Sequence, residues 1–148
     1  MSKIVLGVQD CPGPVDSLAL LFEQSCPAIQ FFGTGSSEEA LAFLQDAAAA
    51  GVTPELVLVD MHSLGIRGLQ VLTALRAGES SWRIPVVMLT PDPLQDHKAV
   101  YVSTVFTRYI VGPPTPDGLM NAVKSVCALL GLSTQTQSVG ASNKPTVG

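Results

Sequence analysis

The run Leu56-Val57-Leu58-Val59-Asp60 constrains the fold of this 148-residue chain more than any other stretch. Four apolar residues without polar alternation, closed by a carboxylate, predict a strand covered on both faces, as in a parallel sheet. An unpaired carboxylate inside such a strand would be strongly disfavoured. The expected place of Asp60 is therefore the point where the strand emerges, at its C-terminal end. In open parallel sheets, ligands and chemistry collect along that edge.

Four more apolar stretches carry the same signal, at 4–8, 28–32, 84–89 and 108–111. Between them the apolar period becomes helical. Val15, Leu18, Leu21 and Phe22 recur until Pro27. Ser36-Ser37-Glu38-Glu39 carries a capping box and leads through Leu41, Leu44 and four alanines to Gly51, a natural stop. Leu69, Leu72 and Leu75 begin a third helix that Gly78 ends, and a fourth is expected from Leu94 to about Val105. Thr115-Pro116 is a helix start, with a capping hydroxyl and then proline, before Leu119, Val123, Val126 and Leu130. Cys11 to Pro14 and Met61 to Gly68 are expected as loops, and Trp82 as a packing anchor. Five strands alternating with five helices predict an α/β chain with a flavodoxin-like, doubly wound parallel sheet of order 2-1-3-4-5 and helices on both faces. The domain spans 1–132, and the Ser/Thr/Gln/Gly-rich 133–148 is expected as a flexible tail.

Composition narrows the class. The chain carries 8 Lys and Arg against 12 Asp and Glu, a net charge of −4, with no basic cluster. That argues against nucleic acid and against an anionic membrane surface as partners. No apolar run approaches the ~20 residues of a membrane span, and the N-terminus lacks the shape of a signal peptide. Cys11, Cys26 and Cys127 are odd in number and widely spaced. They are expected as reduced thiols in a cytoplasmic protein.

Three polar residues each close an apolar strand: Asp10 the first, Asp60 the third, Thr90 the fourth. Order 2-1-3-4-5 sets these strands side by side. Two carboxylates facing each other need a cation or a shared proton. Oxygen donors without His or Cys suit Mg²⁺. A carboxylate beside Mg²⁺ is a competent nucleophile toward phosphorus, and the Thr90 hydroxyl is placed to donate to a phosphoryl oxygen. The competing reading is that an Asp after a strand only caps the next turn.

Here the chain resembles the response-regulator receiver domains of two-component signalling, over residues 3–130. Leu58-Val59-Asp60, with Gly68 and then Leu69, Leu72, Leu75 and Arg76, is similar to the family's phosphoacceptor strand, loop and third helix. Ile84-Pro85-Val86-Val87-Met88-Leu89-Thr90 resembles its fourth strand with the switch hydroxyl, and Tyr109-Ile110-Val111 its fifth with the switch aromatic. The resemblance implies that Asp60 accepts a phosphoryl group from a histidine kinase or phosphotransfer protein. It implies Mg²⁺ held by Asp10, Asp60 and the main-chain carbonyl of His62, with Gln9 bonding through water. Thr90 and Tyr109 would relay the change to the face formed by the 94–105 helix, the fifth strand and the last helix, where Val100, Tyr101, Val105 and Phe106 lie. A downstream protein, or a second copy in a homodimer, would dock there. The implied role is a signalling switch, not a turnover enzyme.

The departures are specific. Gln9 stands where the family usually has a first acid, and Gly112 where it has a lysine. Ser63-Leu64 replaces a Met-Pro pair, and Pro91 follows Thr90 in place of a small residue. Lys98 and Arg67 are the nearby cations. The alternative is a degenerate pseudo-receiver that binds partners without phosphorylation. Asp60-Met61-His62-Ser63-Leu64-Gly65 also fits the D-x-H-x-x-G pattern of cobalamin-binding domains. There the pattern follows the first strand rather than the third.

Overall fold

The computed structural model describes residues 3–9, 12–90, 107–112 and 115–133. Its elements run β1 (Lys3–Val8), α1 (Pro12–Ser25), β2 (Ile29–Thr34), α2 (Ser37–Ala49), β3 (Leu56–Asp60), a single turn α3 (Met61–Leu64), α4 (Arg67–Ala77), β4 (Val86–Thr90), β5 (Thr107–Val111) and α5 (Pro116–Leu129). The strands form one parallel sheet of order β2-β1-β3-β4-β5. This is the flavodoxin-like order expected from the alternation.

β3 and β4 are buried at every position, and their alternate residues feed two core layers. Leu56, Leu58, Val87 and Leu89 join Leu18 and Phe22 of α1 and Val123 and Val126 of α5. Val57, Val59, Val86 and Met88 join Ala40 and Leu44 of α2 and Val71 and Leu75 of α4. Each fully buried side chain of this size contributes roughly 1.5–3 kcal/mol. Covering on both faces is why the strands lack polar alternation. At Gly7 the absence of a side chain matters: a Cβ would meet the ring of Phe31, which stacks on Phe22 with centroids 5.1 Å apart.

The helix starts follow local chemistry. Ser36 Oγ accepts from Glu39 N at 3.1 Å, while Glu39 Oε1 accepts from Gly35 N at 2.7 Å. Thr115 Oγ1 accepts from Gly118 N at 3.1 Å, with Pro116 at the first position. Gly51, at φ 76°, terminates α2.

Three expectations are corrected. Residues 61–68 are not all loop: Met61–Leu64 forms a helical turn, because the Asp60 side chain caps it. Helix α1 begins at Pro12, since the first turn of a helix has no use for the N–H that proline lacks. Trp82 is 46% exposed rather than a packing anchor, with the Arg83 guanidinium 5.3 Å from its ring centre. Asp10 and Cys11, the 94–105 helix and the tail beyond Ser133 lie outside the described residues.

Candidate functional site at the C-terminal edge of the sheet

Strand register builds the site. Val8 pairs with Val59, so Gln9 and Asp60, each one residue further on, come side by side across β1 and β3. Asp60 pairs with Leu89, which puts Thr90 one step beyond it on β4. The Gln9 main chain is held by β2, its N–H donating to the Thr34 carbonyl at 2.9 Å. Gln9, Asp60 and Thr90 are all but sealed, at 1%, 2% and 0% exposure.

Both carboxylate oxygens of Asp60 are engaged. Oδ1 accepts from His62 N at 2.9 Å, and Oδ2 accepts from Gln9 Nε2 at 2.7 Å. The Asp60 carbonyl accepts from Ser63 Oγ at 3.3 Å. Asp60 thus does cap the following turn, and it also faces the neighbouring strand. An ionised carboxylate can only accept, so Gln9 must turn its NH₂ toward it.

That orientation leaves an orphan. Among the described residues, Gln9 Oε1, Thr90 Oγ1 and His62 Nε2 are buried side-chain atoms without a hydrogen-bond partner. Buried polar atoms are almost always paired, and leaving one unpaired costs about 1–3 kcal/mol. All three belong to the edge where β1, β3 and β4 end. Such a set is what a site kept for a polar ligand looks like.

β5 supplies the other expected positions. Tyr109 pairs with Met88 and is half-buried against the α2–α4 layer. Gly112 N donates to the Thr90 carbonyl at 3.1 Å. Among the described residues, chain neighbours aside, a Cβ on Gly112 would meet nothing closer than 3.9 Å. Arg67, one of the cations expected near the site, is exposed and donates from Nη2 to the Ser63 carbonyl at 3.4 Å. Lys98 lies outside the described residues.

No family model and no curated protein matches the chain. Solved structures do. The phosphorylated cyanobacterial phytochrome response regulator RcpA superposes with a TM-score of 0.69 at 21% identity, covering 92% of this chain and 100% of its own. The Mn²⁺-bound form of response regulator Rcp1 gives 0.64 at 20% identity over 95% and 99%. The N-terminal domain of a response regulator receiver protein from Methanoculleus marisnigri gives 0.55 at 29% identity over 84% and 96%. The chain has the receiver-domain fold. The phosphorylated and Mn²⁺-bound states belong to those proteins.

In this receiver fold, the donors near Asp60 can be weighed against a divalent cation. Among the described residues no group of three His, Cys, Asp or Glu side chains gathers. The oxygens on offer are the Asp60 carboxylate, Gln9 Oε1 and the His62 carbonyl. All are hard donors of the type Mg²⁺ takes, and the unpartnered Gln9 Oε1 is free to accept from a cation's water. The donor types fit. Gln9 bonds Asp60 directly, whereas the sequence points to a bond through water. A register of β1 against β3 is needed to see it.

Proposed function

We propose that this chain is a receiver domain of two-component signalling with Asp60 as its phosphoacceptor. It would act in the cytoplasm through protein contacts. The observation that carries the reading is the cluster of unpartnered buried polar atoms around a strand-end carboxylate. An Asp60 oxygen attacks the phosphorus of a kinase phosphohistidine; the P–N bond breaks, and the imidazole leaves with the bonding electrons. The Thr90 hydroxyl, unpartnered before the reaction, donates to a phosphoryl oxygen. Its movement frees space toward β5, where Tyr109 lies half-buried. The output face is built on β5 and α5, and takes a target protein or a second copy.

Asp60, Asp10, the His62 carbonyl and Gln9 would hold Mg²⁺, which when bound neutralises charge on the phosphoryl group. His62 N and Gln9 Nε2 orient the carboxylate, and their burial excludes water from it.

A second reading has its own support. Both Asp60 oxygens are already bonded to neutral donors, and Gly112 offers no ammonium. A domain that binds partners without phosphorylation would tolerate both.

Intact mass after incubation with an acyl phosphate and Mg²⁺ separates the two, with Asp60→Asn as control. A phosphoryl adduct on the wild type alone is the expected result. A folded protein without adduct would overturn the phosphoacceptor reading in favour of the second.

A further inference from the structure

Gln9 sits where two facing acids would need a cation between or beside them. In this chain the β1-end residue bonded to Asp60 is an amide, and its Nε2 lies 2.7 Å from Asp60 Oδ2. That is the short end of charge-assisted N–H···O⁻ distances. The pair is buried, at 1% and 2% exposure, so water does not compete for the bond. A side chain that only filled this space would be better apolar, because the other half of the amide, Oε1, is left buried and unpaired.

We propose that Gln9 stands in for a divalent cation in the resting site. It holds the Asp60 carboxylate in place without metal, and a cation that takes the same side of Oδ2 competes with the Gln9–Asp60 bond. The amide donates one positively polarised N–H to Oδ2, while His62 N satisfies Oδ1. The carboxylate is therefore oriented and compensated before any ligand arrives. A cation on that side must displace the Nε2–H and turn the amide so that Oε1 faces inward. Its binding is weaker by the strength of the bond it replaces. Gln9 is a positioning residue, acting through Asp60.

This deepens the reading of Asp60 as the reactive carboxylate and rests on it only for its consequence. The test therefore uses no phosphodonor. Thermal midpoints are measured in EDTA and across a millimolar Mg²⁺ series for wild type, Gln9→Met and Gln9→Glu. Mn²⁺ binding is measured on the same proteins by electron paramagnetic resonance of the free ion.

The wild-type midpoint should rise with Mg²⁺ less than that of either variant. Gln9→Met removes the donor but keeps the volume, so its midpoint should fall in EDTA and recover as Mg²⁺ is added, since a ligand bound only to the native state stabilises it. Gln9→Glu sets a second carboxylate against Asp60 and should bind Mn²⁺ on the order of tenfold or more tighter than wild type. The carboxyl carbon shift of Asp60 should move at lower Mg²⁺ in both variants than in wild type. A wild-type midpoint that rises with Mg²⁺ as much as that of Gln9→Met, or a wild-type Mn²⁺ affinity equal to that of Gln9→Glu, would overturn the proposal. If Gln9→Met fails to fold in either condition, the wild-type and Gln9→Glu titrations decide alone. A missing phosphoryl adduct would leave this result standing, and a cation-dependent wild type would leave the phosphoacceptor reading standing.

Discussion

Thr90 shows how a single residue can be suboptimal for stability and still be informative. Its hydroxyl is fully buried and unpartnered, at the last position of a strand whose other residues are all apolar. Valine has nearly the same shape and no oxygen to desolvate. Thr90→Val is therefore expected to leave stability unchanged or raise it by about 1 kcal/mol, within the cost of an unpaired buried hydroxyl. A denaturant titration measures this, and a loss of more than ~1 kcal/mol would show that the hydroxyl has a partner in the resting state. The same variant should respond less to phosphodonor. Asp60 could be placed from sequence because an apolar run ending in a carboxylate has few solutions. Its contact with Gln9 could not, because residues 51 apart in sequence meet only through strand register.

At the scale of elements, Arg76 does the most to join separate pieces. It closes α4 and donates from Nη1 to the carbonyls of Trp82 at 3.0 Å and Ile84 at 2.9 Å. From Nη2 it reaches Thr107 Oγ1 at 3.0 Å, at the first residue of β5. One guanidinium thus ties the end of a helix, the connection to β4 and the start of the edge strand. Its planar fork suits several acceptors at once, which a lysine would not. Arg76→Met keeps the stem and removes the donors, so it should cost about 1.5–2 kcal/mol in chemical denaturation, as expected when partly buried acceptors lose a charged donor. Burial lowers the Arg76 pKa through desolvation. An arginine nevertheless stays protonated near neutrality. The cost should therefore be the same at pH 6 and pH 8. Local patterns cannot show such a residue, since its partners lie 6, 8 and 31 positions away. For the same reason Trp82 was misplaced. Composition favours burying a tryptophan, whereas here the main chain beside it bonds to Arg76 and its ring faces outward under Arg83. The turn at Met61–Leu64 was missed because two glycines suggested a loop, while the cap that starts it is the Asp60 side chain itself.

The whole molecule follows from alternation. Apolar strands without polar partners demand covering on both faces, and helices between parallel strands provide it, so the sheet order and the two core layers were legible before any coordinates. The order also fixes that the ends of β1, β3 and β4 meet. The charge balance at that meeting point is harder to read. Gln9 carries no negative charge and Gly112 no positive one, and the two donors bonded to Asp60 are neutral. Whether the fold still suits a cation at position 112 can be asked directly. Gly112 N is bonded to the Thr90 carbonyl, and a Cβ added there would meet no atom of the described residues, its chain neighbours aside, closer than 3.9 Å. Gly112→Lys should therefore fold with little change in stability. An ammonium there would stabilise charge developing on a phosphoryl group, where one well-placed donor is worth roughly 10²–10³ in rate. We expect Gly112→Lys to accumulate the Asp60 adduct at least ~10-fold faster than wild type with the same acyl phosphate, short of that range because a side chain placed on an unselected backbone is not fully preorganised. Time-resolved intact mass measures it. A folded variant with an unchanged rate would mean that the main chain after β5 no longer aims a side chain at Asp60. The loss of the lysine would then be a symptom of a moved backbone rather than a single substitution.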